Sequence, residues 1–395
     1  MKMPSALFLS LIVLLASASG VQAKENDWEA LNNEVISLTQ SGQYKDGIVK
    51  GKAALALADT ATPNLPDVAM SLNNLAELYR FDGQYALAEP LYIRALAIRE
   101  KVYTPNHTTV AKSLNNLGEL YKAQSQYAKA EPLLKKSLAT FEKVLGSSNQ
   151  TVATSMSNLA ELYIMQADYV QAEPLLKHAL AIREKANPKN PNVATSLNNL
   201  AALYKETGRT TEAEQLLAKA LEIFEKSANP DTPEAASAMN NLAALYTSQG
   251  KFAEAEPLLK RAVDIIEKVL GSGDPELATS LNTLASLYKK SKRPTEAEPL
   301  YKKALAIREK ALGPDNPAVA ASLNDLAELY RSQEKFSAAE PLYKRSLAIS
   351  EKALGLNHPN VAAILKNQAN LYRQTGRSSE AEVLEKRAAT ILTPH

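Results

Sequence analysis

The sequence predicts an all-α protein, a solenoid of about nine helix-turn-helix units, and three observations carry that reading. The phrase LNNLAELY at 72–79 returns along the chain, its first position held by Leu31, Leu72, Leu114, Met156, Leu197, Met239, Leu281, Leu323 and Leu365. The steps are 41 or 42 residues, and a fixed period in the range of about 20–50 residues marks stacked repeats. Apolar residues at 0, +3, +4 and +7 from that leucine share one helical face. Proline and glycine punctuate each repeat at fixed places. A chain of 395 residues would ordinarily suggest two or three domains, but a solenoid grows in one dimension without that limit.

Residues 1–23 differ in kind. Lys2, the apolar run Ala6 to Ala16 and the small residues before Lys24 have the pattern of a secretory signal peptide. Eleven apolar residues are too few to span a bilayer, which takes about 20; the competing reading is an uncleaved anchor or a buried first helix. Cleavage would remove Lys2 alone among the charges, leaving 44 basic against 43 acidic residues. The expected product is exported, periplasmic or secreted, with no membrane span after cleavage. The charge balance argues against nucleic acid, which usually selects a basic excess. No cysteine is present, which excludes disulfides, thiol catalysis and cysteine-held zinc.

After a lead-in at 24–30 the repeats are expected to start near 24, 66, 108, 150, 191, 233, 275, 317 and 359, to end at 392, and to leave a tail at 393–395. The first is degenerate: Glu34 and Leu38 replace the second leucine and the tyrosine, and Gly47 and Gly51 stand where later repeats carry Ala and Tyr or Leu. In the second, helix A is expected from near Pro66, with Pro191, Pro233, Pro275, Pro317 and Pro359 equivalent to it. Proline suits the first helical position, and Asn190, Thr232, Asp274 and Asn316 before these prolines are good N-caps. Helix A should end near Asp82, with Gly83 as a left-handed C-cap like Gly42, Gly208, Gly250 and Gly376. The +4 residue is small in eight repeats, from Ala76 to Ala369, which implies close helix packing there.

Helix B is expected over about 84–102, with Tyr85, Ala88, Tyr92, Ala95 and Ile98 turned inward. Glu89 and its equivalents lie near the helix N-terminus, where negative charge suits the macrodipole. Pro90 removes one backbone hydrogen bond and reads as a fixed bend, not a break. Two helices sharing one face gain about 1.5–3 kcal/mol per buried apolar side chain against about 1–2 kcal/mol per ordered residue. Stacking, which buries a second face, is therefore required. In the last repeat Ser378 and Glu385 replace tyrosines, the polar outer face expected of a C-terminal cap that completes the chain.

Ala76, Tyr79, Gly83, Tyr85, Ala88, Tyr92 and Ala95 stand at the signature spacing of the tetratricopeptide repeat (TPR), which the chain resembles over about 31–392. With 42 residues per unit and the linker Leu354-Gly355 to Val361-Ala362, it is similar to the kinesin-light-chain type of repeat, a type also widespread in bacterial proteins unrelated to motors. The resemblance implies a right-handed superhelix whose concave wall is the helix A series, where relatives bind peptides or helices. The residues at −2, +1, +2, +5 and +8 would point into that groove.

Fourteen asparagines at +1 and +2 need a reason, because asparagine is a mediocre helix former. Each amide offers two donors and an acceptor, suited either to gripping an extended partner or to tying neighbouring helices together. We assign the +2 series to ties and the +1 series (Asn73, Asn115, Asn198, Asn240, Asn282, Asn324) to partner contact. At +8, Arg80, Lys122, Lys205, Lys289 and Arg331 form either a clamp for acidic groups or a solvated face paired with the +5 glutamates. Where Ala202, Ala244 and Ser286 replace those glutamates, the middle of the groove is the best place for an anion. The histidines lack the spacing of metal ligands, and neither a nucleophile elbow nor a phosphate-binding loop occurs. The sequence thus reads as a non-enzymatic protein- or peptide-binding scaffold of the cell envelope, without cofactor or metal. The alternatives are an assembly or secretion-complex organiser working through its outer surface or ends, and a regulatory subunit of an enzyme.

Overall fold

A computed structural model describes residues 26–60 and 65–392. The expected signal peptide and the tail at 393–395 lie outside the described residues, as do the first two residues of the lead-in. Every element is an α-helix, and the described residues contain no strand. The hairpins are α1 (26–40) with α2 (Tyr44–Thr60), α3 (Leu65–Phe81) with α4 (Tyr85–Val102), α5 (Thr108–Ala123) with α6 (Tyr127–Leu145), and α7 (Gln150–Met165) with α8 (Tyr169–Ala186). There follow α9 (Pro191–Glu206) with α10 (Thr210–Glu225), α11 (Pro233–Ser248) with α12 (Phe252–Val269), and α13 (Pro275–Lys290) with α14 (Pro294–Leu312). The last are α15 (Pro317–Ser332) with α16 (Phe336–Leu354) and α17 (Pro359–Gln374) with α18 (Ser378–Leu392). The architecture is the expected α-solenoid of helical hairpins. It divides into two compact units, one ending at Ile182 and one beginning at Arg183. No described helix is long and apolar enough to cross a membrane.

Local chemistry explains the boundaries. Asn190, Asp274 and Asn316 each accept a backbone N–H two residues on, at 2.7–2.8 Å, and Thr232 accepts from Ala235 at 3.2 Å. His107 and His358 cap α5 and α17 in the same way through Nδ1. Helix B runs through its internal proline in each of α4, α6, α8, α12, α14 and α16. The A–B turn needs one left-handed residue. Gly208 supplies it at φ +76°, but Ser125, Ala167, Lys292 and Glu334 are held near +60°, a conformation that costs a side-chain-bearing residue roughly 1–2 kcal/mol.

The core is the expected stripe. The 0, +3 and +4 residues are buried in the second to ninth repeats, the +3 place being taken in the last by a polar residue, Gln368. At Gly47 in α2 a Cβ would come 2.6 Å from Leu78, so the glycine lets α2 and α3 close up.

The helix A tyrosine does more than fill space. Tyr121, Tyr288, Tyr330 and Tyr372 donate their hydroxyls to Glu89, Glu256, Glu298 and Glu340 of the preceding helix B, at 2.9–3.3 Å. Arg293 and Arg377 complete the group, stacking on Tyr288 and Tyr372 while bonding Glu256 and Glu340 at 2.7 and 2.9 Å. The bonds from Arg293, then Lys260, pull the Glu256 carboxyl down to about 2.

Two outcomes follow from these features. Ala167→Gly should stabilise the protein by roughly 0.5–1 kcal/mol, because relief of the left-handed strain exceeds the added unfolded-state entropy; denaturant unfolding measures it. A depressed carboxyl contributes stability above its unfolded pKa and loses it as pH falls through the folded one. The Tm deficit of Glu256→Gln should therefore be full above pH 5 and close as the pH approaches 2.

Candidate functional site

The helix A faces carry the candidate site, and within each unit the asparagines form a ladder. In the first unit Asn74, Asn116 and Asn158 donate Nδ2 to Oδ1 of Asn32, Asn73 and Asn115 at 2.8–3.1 Å. In the second, Asn241 and Asn367 donate to Asn198 and Asn324 at 2.9 and 3.0 Å. The +2 amide of one repeat thus binds the +1 amide of the repeat before it. The two series do not divide the work: each tie needs both, and the +1 acceptor is spent on the neighbour.

The ladder breaks in the second unit. Thr283 stands where an asparagine would donate to Asn240, so Asn240 Oδ1 is buried without a partner and its Nδ2 turns to Ser280 Oγ at 2.8 Å. At the next step Asp325 cannot donate. Asn282 Nδ2 donates to it at 2.6 Å instead, leaving Asn282 Oδ1 unpartnered.

The +8 cations are mostly engaged. Lys122, 6% exposed, holds Glu119 at 2.8 Å and Glu161 at 2.7 Å. Arg331 holds Glu328 and Gln374. Arg80 approaches Glu77 at 4.0 Å and lies over the Phe81 ring. Lys205 is exposed, with Glu206 at 3.6 Å, while Lys289 is half-buried in the field of Asp325 and Glu328.

Where the ladder breaks, a cleft of about 460 Å³ opens over α9, α11 and α13. Its lining comes from equivalent positions of three successive repeats: Thr195, Ser237 and Thr279 at −2, Asn198 and Asn240 at +1, and Asn199, Asn241 and Thr283 at +2. Lys205 stands toward the C-terminal end of α9, and Glu234 and Glu276 stand at the N-terminal ends of α11 and α13. Of the expected site residues, the cleft brings together Asn198, Asn240 and Lys205.

The tetratricopeptide-repeat family profile matches residues 29–101, 67–143, 109–185, 151–226, 234–310, 276–352 and 338–393. The chain is a tetratricopeptide-repeat protein. A Podosopora anserina protein described as a kinesin light chain, with nearly identical TPR-like repeats, shares 30% identity over 51% of this chain and 96% of its own, at a TM-score of 0.43. The Rap protein complexed with Competence and Sporulation Factor aligns over 93% of this chain and 97% of its own, with 16% identity and a TM-score of 0.64. The apo quorum sensor NprR of B. thuringiensis aligns over 93% and 99%, with 15% identity and a TM-score of 0.59. These last two share the fold. No curated protein matches the chain.

The electrostatics of this TPR protein's cleft differ from the expected anion contact. Glu234 and Glu276 have no ion-pair partner among the described residues, and one ammonium, Lys205, faces them across the cleft. Burial, then Asp274, then Glu234 push the Glu276 carboxyl above its ordinary range. Sequence reasoning also missed three buried arginines near the end of helix B. Arg99 and Arg308 donate Nη1 to Ser113 Oγ at 2.6 Å and Ser322 Oγ at 2.7 Å, and Arg183 donates to Ser196. The available signal was a serine recurring 13 or 14 residues after each arginine.

Asp325 tests the ladder. Burial raises its carboxyl despite the Asn282 amide and the nearby Lys289 and Arg308. Asp325→Asn should restore a donor for Asn282 and gain on the order of 1 kcal/mol at pH 7. A raised carboxyl costs stability once ionised, so the gain should shrink as pH falls through its folded pKa; thermal unfolding of both proteins across pH reads it.

Proposed function

We propose that this protein is a non-enzymatic, exported scaffold of the cell envelope that binds an extended protein or peptide segment along its helix A faces. One observation carries the reading: the cleft over α9, α11 and α13 is built from the same positions of three successive repeats. A surface that repeats hydroxyls and amides at the spacing of the repeat suits a partner that is itself a chain. Its preformed walls spare the partner's binding the cost of ordering the site. The fold is shared with Rap, seen in complex with Competence and Sporulation Factor, which supports a binding role for a solenoid of this kind. The pattern of residues 1–23 supports export.

A displayed random peptide library screened on the full-length protein tests the site. Ser237 is exposed on the cleft floor, so Ser237→Trp should weaken recovered binders at least about tenfold, a loss of about 1.4 kcal/mol. Lys303→Ala on helix B should leave them unchanged. Binders indifferent to Ser237→Trp would move the working face elsewhere. N-terminal sequencing of the protein from its own cells tests export, which an N-terminus at Met1 would sink.

A further inference from the structure

The cleft lies where an arginine carried by three other repeats is missing. Arg99, Arg183 and Arg308 are 8–9% exposed and clasp the serine that precedes the first leucine of the next repeat. Arg308 shows the fullest set: Nη1 donates to Ser322 Oγ at 2.7 Å and to the Ala318 carbonyl at 3.4 Å, and Nη2 donates to Thr279 Oγ1 at 3.0 Å. One repeat earlier, 42 residues back, the equivalent of Arg308 is Ile266, and Ile266 lines the cleft. The counterparts of the three acceptors are all kept there: Ser280 for Ser322, Glu276 for Ala318 and Ser237 for Thr279. All three line the cleft as well.

Other repeats that lack the arginine are built differently. Phe224 is followed by Ala238 in the serine position, and Ser350 by Ile364, so the acceptor has gone with the donor. Phe141 keeps Ser155 but brings a buried aromatic ring of its own. At Ile266 the acceptors stay and the side chain is short, and the open volume of about 460 Å³ exceeds the clefts of about 200 Å³ beside Ser350 and about 120 Å³ beside Phe141. Two further features fit a missing cation. Asn240 Oδ1 is an unpartnered acceptor on the same wall. Glu234 and Glu276, at equivalent positions of successive repeats, lack the ion pairs that most helix B acids of this unit have.

We propose that the cleft takes the guanidinium of an arginine carried by the partner segment, donating to the exposed Ser237 hydroxyl and charge-balanced by Glu234 and Glu276. The proposal deepens the scaffold reading and rests on it. Guanidinium suits the site better than ammonium because its planar fork reaches several acceptors spread over two helices, whereas lysine presents a compact point charge. The cleft is larger than the group, which leaves room for the partner's adjoining backbone. Lys205, at the far end of α9, keeps an arginine toward the glutamate end.

Three capped pentapeptides, identical except for arginine, lysine or citrulline at the centre, test this by calorimetry against the full-length protein. The arginine peptide should bind about tenfold more tightly than either other, the size of one charge-assisted set of hydrogen bonds. Ile266→Arg should fill the cleft from within, reduce arginine-peptide binding by about tenfold or more and raise the Tm. Should that variant not fold, the paired exposed changes Glu234→Gln and Glu276→Gln should remove most of the preference for arginine over citrulline. Equal binding of the three peptides, no binding of the arginine peptide, or a folded Ile266→Arg variant that binds as wild type does would each overturn the proposal. Library binders that lack arginine yet are blocked by Ser237→Trp would leave the groove reading standing and remove this one alone. Binders indifferent to Ser237→Trp would remove both.

Discussion

A hairpin of two helices exposes too much of what it must bury, and the rest of this structure follows from that constraint. Ordering some 42 residues costs far more than one shared apolar face returns, so every repeat depends on its neighbour. The dependence is polar as well as apolar. The +4 alanine lets helices approach, the +7 tyrosine reaches back to a glutamate of the preceding helix B, and the +2 asparagine reaches back to the preceding +1 amide. Helix B arginines reach forward to the next serine. Each bond satisfies a group that stacking has taken out of water, where an unpaired polar atom costs about 1–3 kcal/mol. The stack is held in register by these bonds; apolar burial supplies most of the drive.

This division explains which parts were legible beforehand. Period, apolar stripe, prolines and glycines are local properties, and they place the helices within a residue or two: Pro191, Pro233 and Pro275 open α9, α11 and α13 as expected. The asparagines were visible as a series, but whether an amide faces a partner or its own neighbour depends on the relative placement of adjacent A helices. Periodicity along one helix does not carry that. Asn73 and Asn74 therefore looked like two jobs and are the two halves of one. Lys122 could be read either as a clamp cation or as a partner of the +5 glutamates for a similar reason, since Glu161, which helps neutralise it, belongs to the next repeat.

The arginine clasp was hidden differently. Arg99, Arg183 and Arg308 sit in a helix region rich in solvated lysines and arginines, where a buried guanidinium is the unusual case. Burial holds the Arg308 pKa below the ordinary value, a cost the serine, threonine and carbonyl acceptors offset. Only the pairing of positions across the inter-repeat turn separates these arginines from their exposed neighbours.

Repetition also makes departures meaningful. A single Thr283 or Ile266 in a globular protein would attract no interest, because nothing says what else belonged there. Here the other repeats supply the comparison: a donor asparagine in most of them at one place, an arginine in three of them at the other. Both departures fall on the same wall, and so does the replacement of the +5 acid by Ala244. Their sum is open volume, an amide oxygen without a donor and two carboxylates without cations. Each is unfavourable for the isolated chain, and local rules broken without compensation inside the molecule are what functional sites tend to show. On the function proposed above, the same physics that closes the ladder elsewhere makes its gap over α9, α11 and α13 the place where a partner's donors would gain most.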